Sequence, residues 1–109
     1  MKISMLAGAM ALAFVVAGPV SAKEARCYTT DDGEYPCKFV SLDNAGSFEI
    51  SASGLPTFQV WIDSPGMASV GATFEAGGRS VALPGTYFRS EEDPACWVSD
   101  ATATEICAW

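Results

Sequence analysis

The chain has 109 residues, half of them hydrophobic, with 13 acidic against 6 basic side chains and a net charge of −7. That length allows one domain, and a surface of that sign repels phosphate backbones and anionic lipid, which argues against nucleic-acid and membrane-surface roles. The sequence holds no histidine, which removes the commonest general base, every Ser–His or Cys–His nucleophile pair and the usual metal ligand.

Residues 1–22 read as a secretion signal. Lys2 is a minimal positive start, Ile3 to Val20 carries no charge, and Val20-Ser21-Ala22 offers the short residues a signal peptidase reads. An uncleaved anchor is the rival reading, because the apolar run is just long enough to span a bilayer. Cys27 lies beyond Lys23, Glu24 and Arg26, which argues against a lipid-anchored start. The expected mature chain is a single domain, 23–109, one charge more acidic than the whole chain because Lys2 leaves with the signal. A domain of this size is marginal without a staple.

From Lys23 onward no stretch carries helical periodicity. Short alternating runs are split by Gly, Pro, Asp and Ser, the pattern of an all-β domain. Arg26 to Thr30 and Glu34 to Val40 flank Asp31-Asp32-Gly33, a three-residue loop that suits a type I turn ending in a left-handed glycine. The implied register sets Thr30 against Glu34, Tyr28 against Pro36 and Cys27 against Cys37, with the N side of Pro36 toward an edge or solvent. In the second hairpin, Ser47 to Ala52 and Thr57 to Ile62 alternate. They send Phe48, Ile50, Ala52, Phe58, Val60 and Ile62 inward and leave Trp61 outward with Thr57 and Gln59.

Asp63-Ser64-Pro65-Gly66 is a turn. Val70, Ala72 and Phe74 then alternate with Gly71, Thr73 and Glu75, and Ala76-Gly77-Gly78 turns the chain into Arg79 to Leu83. Pro84-Gly85 breaks the chain before a short strand over Thr86 to Ser90, and Glu91-Glu92-Asp93-Pro94 reads as a solvated loop. In the last hairpin, Ala95 to Ser99 and Thr104 to Trp109 flank the four-residue loop Asp100 to Ala103. That loop pairs Val98 with Glu105, Trp97 with Ile106 and Cys96 with Cys107. Seven or eight short strands are expected, folded as a small antiparallel β-barrel or sandwich stapled by disulfides.

Four cysteines in an exported chain of this size imply two disulfides. The two registers favour Cys27–Cys37 and Cys96–Cys107. The rival set, Cys27–Cys107 with Cys37–Cys96, would tie the two ends of the domain together. Loop entropy does not choose, since it credits a short loop with about 3 kcal/mol and a long one with about 4.5. No close-set cysteine pair suggests zinc or thiol–disulfide catalysis.

Neither catalytic residues nor a cofactor are expected. The Glu91, Glu92 and Asp93 cluster reads as a polar loop. Asp31-Asp32-Gly33-Glu34 and Asp43-Asn44-Ala45-Gly46 offer hard oxygens for calcium, but hairpin-turn chemistry explains them. Trp61, Trp109, Tyr28 and Tyr35 are the candidate partner-binding residues, because rings on open faces make interface anchors. In size, cysteine use and strand content the chain is similar to the small periplasmic inhibitors of lysozyme, and an acidic inhibitor would suit a basic lysozyme. Ser53-Gly54-Leu55-Pro56-Thr57 departs at its last position from the Ser-Gly-x-x-Tyr loop of the c-type inhibitors. The expectation is a periplasmic or secreted binding module for a basic protein, without enzymatic activity. The alternative is a self-associating structural protein of the cell envelope.

Overall fold

The computed structural model describes residues 22–109, so the expected signal, apart from its last residue, lies outside the described residues. Nine strands follow one another: β1 (Lys23–Thr29), β2 (Gly33–Ser41), β3 (Phe48–Ser51), β4 (Thr57–Ser64), β5 (Met67–Thr73), β6 (Ser80–Ala82), β7 (Tyr87–Arg89), β8 (Cys96–Ser99) and β9 (Glu105–Ala108). All are antiparallel to their neighbours, in the order β4-β3-β2-β1-β9-β8-β7-β5, and β5 pairs back onto β4 to close an eight-stranded barrel.

The ninth strand arises because one wall strand is broken in two. β7 pairs with Met67 and Ala68 of β5, while β6 pairs with Gly71 to Thr73 farther along the same edge. Between them Leu83 still donates its N–H to the Val70 carbonyl at 2.8 Å. The break falls at Pro84-Gly85, where proline lacks a donor and Gly85 takes a φ of +87°. A side chain at Gly85 would meet Asp100 Oδ1 and Ser99 Oγ at 2.7 Å. That close approach lets the Ser99 hydroxyl donate to the Pro84 carbonyl at 3.0 Å and the Thr86 N–H donate to the Asp100 carboxylate at 2.9 Å. Among the described residues, β6 is left at the end of the sheet with an unpaired outer edge.

The last hairpin has the expected register, with Cys96 opposite Cys107 and Trp97 opposite Ile106. The first is shifted by two residues. Thr29 pairs with Gly33 and Cys27 with Tyr35, because Gly33, at φ +72°, opens β2 instead of closing the loop. Cys27 and Cys37 are therefore diagonal neighbours, 5.9 Å apart at Cα, and still bonded. Pro36 stands where β2 has a neighbour on one side only, since β3 pairs with Lys38 to Ser41, so its missing donor is tolerated. The alternating run outlasts its strand: β5 ends at Thr73, and the Phe74 ring is 59% exposed.

Alternation places Phe48, Ile50, Phe58, Val60, Val70, Tyr87, Trp97 and Ile106 inside the barrel. Cys27–Cys37 belongs to this core. Cys96–Cys107 is also buried but lies outside the core cluster. The two ends of the barrel differ. One carries the 42–47, 65–66 and 90–95 turns and is stoppered by Trp97, with the Arg89 guanidinium 4.5 Å above its ring. The other carries the 30–32, 52–56, 74–79 and 100–103 turns, and there a small cavity opens beside Phe58 and Tyr87.

Candidate functional site: the open end of the barrel

This second end encloses a cavity of about 120 Å³ whose lining divides by chemistry. Phe58 and Tyr87, both buried, form its floor, and Pro56, Phe74, Leu83 and Pro84 form an apolar wall. Thr29, Thr102 and Thr104 supply hydroxyls, and Asp31 and Asp32 stand at the exposed lip. A dry cavity of about 150 Å³ accepts a benzene ring, so this one admits a single side chain and excludes a folded loop.

Local hydrogen bonds hold the lining in place. The Asp32 N–H donates to Thr29 Oγ1 at 3.1 Å, and the Thr102 and Thr104 hydroxyls are 2.8 Å apart. Thr30 reaches across to the last hairpin, where its hydroxyl accepts the Glu105 N–H at 2.8 Å. Burial raises the Tyr87 phenol above its ordinary value, with hydrogen bonding to Thr104 as the weaker, opposing influence. Tyr87 is thus a neutral hydroxyl at physiological pH.

Charge is distributed unevenly. The two ion pairs among the described residues, Arg26–Glu34 and Lys38–Glu24, lie on the β1–β2 wall. Lys23 stacks on Phe39, and Arg89 covers Trp97 while donating to the Pro94 carbonyl. Among the described residues no lysine or arginine lines the cavity itself. Arg79, in the 74–79 turn of the same end, lines a neighbouring hollow that shares Phe74 with this one. Asp31 and Asp32 face solvent beside an apolar hollow with no salt-bridge partner among the described residues.

The four aromatic candidates occupy different surroundings and do not converge. Trp61 projects from β4 and is 45% exposed, opposite Ser69, whose hydroxyl donates to Asp63. Trp109 is 44% exposed, but its ring is engaged: the indole N–H donates to Asp93 at 3.0 Å and Arg26 lies 5.1 Å above it. Tyr28 is half-buried on the barrel's outer wall, opposite Cys107 of the outer disulfide. Tyr35 is a correction. Expected on an open face, it is only 8% exposed and lies in the core, because it shares the inward face of β2 with Cys37. Its hydroxyl is buried without a hydrogen-bond partner, and desolvation, aided by the Asp32 charge, raises its pKa.

The Asp43 turn is occupied by its own backbone, and in the first acidic turn Glu34 alone is in an ion pair. The Asp43 carboxylate accepts from the Ala45 and Ser47 N–H groups at 2.8 and 3.0 Å, and Glu34 pairs with Arg26. Cys96, Glu105 and Cys107 cluster closely enough to suggest a metal site. Both sulfurs belong to the outer disulfide, however, and a disulfide supplies no thiolate ligand.

Sequence reading missed the cavity. Its lining comes from turns far apart in the chain, and Asp31, Thr102 and Pro84 each look locally like ordinary turn chemistry. The one signal the sequence offers is the adjacent pair Asp31-Asp32. No protein-family model, curated protein or solved structure matches the chain.

Proposed function

We propose that this chain is an exported, non-enzymatic binding module that docks a basic protein against the open end of its barrel. The observation that carries the reading is the placement of Asp31 and Asp32, without a salt-bridge partner among the described residues, at the lip of an apolar cavity. Two disulfides are what a small domain in an oxidising compartment uses to hold its shape. The acidic surface steers a basic partner toward encounter, and apolar lining beside carboxylates offers both contact area and charge. A basic lysozyme is the first partner to try, with inhibition of its activity as one form the docking takes.

The experiment is capture of basic proteins from envelope or extracellular extract on the immobilised mature domain, compared with an Asp31→Asn/Asp32→Asn variant. Capture that weakens in the variant and falls with salt supports the reading. Equal capture by both proteins, or retention of no basic protein, overturns it. Trp61→Ala in parallel tests whether the outer wall shares the contact.

A second reading, self-association, is favoured by one observation, the unpaired outer edge of β6. Light scattering at high protein concentration decides it. A strictly monomeric domain removes this reading.

A further inference from the structure

We infer that the cavity in the barrel mouth receives one lysine side chain of the docked partner. Its alkyl stem would lie along Phe74, Leu83 and Pro84, and its ammonium would sit at Asp31 and Asp32. This rests on the binding reading above and specifies what the acidic end recognises.

Size comes first: about 120 Å³ is room for one side chain. The lining is amphiphilic in the order a lysine requires, with buried Phe58 and Tyr87 and an apolar wall within, and carboxylates at the exposed lip. A lysine covers apolar surface with its stem while its head stays at the wet margin. The charge is complementary: neither aspartate is in a salt bridge among the described residues, and Arg79, at the same end, lines a neighbouring hollow that shares Phe74.

Lysine is favoured over arginine by the acceptors. Asp32 Oδ2 already takes the Thr29 hydroxyl at 3.4 Å, and the remaining acceptors are an adjacent carboxylate and separate threonine hydroxyls. Three donors on a compact ammonium can meet Asp31, Asp32 and a threonine hydroxyl together, whereas a guanidinium fork would be matched by the Asp31 carboxylate alone and would leave the other acceptors unused. The hollow is also preformed, because Gly85, Ser99 and Asp100 pin the Pro84 side of its wall.

The test is an NMR titration of the isotope-labelled mature domain with Nα-acetyl-lysine N-methylamide, alongside the norleucine and arginine analogues. Saturable shifts confined to Thr29, Asp31, Phe74, Leu83, Thr102 and Thr104 are expected with the lysine analogue. The norleucine analogue and the Asp31→Asn/Asp32→Asn variant should each bind about fivefold more weakly, the scale of an exposed charge pair. Phe74→Ala should weaken binding with the charges intact. Equal or tighter binding of the norleucine or arginine analogue overturns the inference, as do shifts centred elsewhere. If the lysine analogue is silent while aspartate-dependent capture of a basic protein persists, this inference falls and the binding reading stands. If capture fails as well, both fall.

Discussion

Cys27 stands directly opposite Tyr35 across β1 and β2, while its disulfide runs to Cys37 on the diagonal. Both side chains point into the barrel, so a phenol is packed against the inner disulfide's hairpin with its hydroxyl buried and unpartnered. An unsatisfied buried hydroxyl is a penalty, and removing it is neutral or favourable. Tyr35→Phe is expected to raise unfolding stability by about 1 kcal/mol, measured by urea titration. A loss of that size instead would mean that the hydroxyl has a partner in solution.

The two disulfides differ in placement more than in span. Their sequence separations of 10 and 11 residues give each a similar loop-entropy contribution, about 3 kcal/mol. Cys27–Cys37 also fills core volume, which Cys96–Cys107 does not. The double alanine variant of the inner pair should therefore lose about 1–2 kcal/mol more than that of the outer pair. Thermal unfolding of the two variants checks the order, and equal losses would count against it.

The last hairpin could be read from the chain because a four-residue loop between two alternating runs leaves one sensible register, and Cys96 faces Cys107 as that register requires. The first hairpin was misread by two residues because a left-handed glycine fits equally well as the final loop residue or as the first strand residue, and Gly33 is the latter. Alternation locates the core along β3 and β4 but runs past the end of β5, where Phe74 leaves the strand for the cavity wall. The cavity itself was not legible. Its walls depend on how far apart barrel closure sets turns whose residues have no local sequence relationship.

Ser47, a buried residue of the 42–47 turn, ties that turn to β4. Its hydroxyl accepts the Ile62 N–H at 2.8 Å, and its own N–H donates to Asp43 at 3.0 Å. Ser47→Ala strands the Ile62 N–H and should cost about 1–3 kcal/mol.

Asp43, held by the Ala45 backbone N–H first and by the Ser47 side chain and backbone after it, has a pKa below the ordinary aspartate value. A lowered folded-state pKa contributes stability above the unfolded value and loses it as pH falls through the folded one. Acid unfolding should therefore gain its Asp43 component only below about pH 4. Asp43→Asn should flatten the dependence in that range, and an unchanged acid profile would remove Asp43 from it.

Gly85 is where the broken wall strand meets the last turn. A methyl group there would contact Asp100 and Ser99 at 2.7 Å and would also occupy a left-handed backbone. Gly85→Ala is expected to destabilise by at least about 2 kcal/mol. It should also disturb the amide resonances of Thr102 and Thr104, because the same contacts shape the cavity wall. Near-native stability would show that the two segments can move apart freely.

The seam between β1 and β9 fixes the order of events for a chain delivered from its N-terminal end. Arg26 and Trp109 exchange backbone hydrogen bonds at 2.8 and 3.3 Å, so the ring cannot close until its last strand arrives. Each disulfide, by contrast, lies within one hairpin, and the first can be oxidised long before the seam exists. Cross-linking is thus separated from closure, and no wrongly paired bridge need be shuffled to finish the domain. What must wait is the interior: until β9 docks, an apolar, partly curled sheet has two open edges. The hazardous interval in this protein's maturation is the time its last hairpin takes to emerge and find the first.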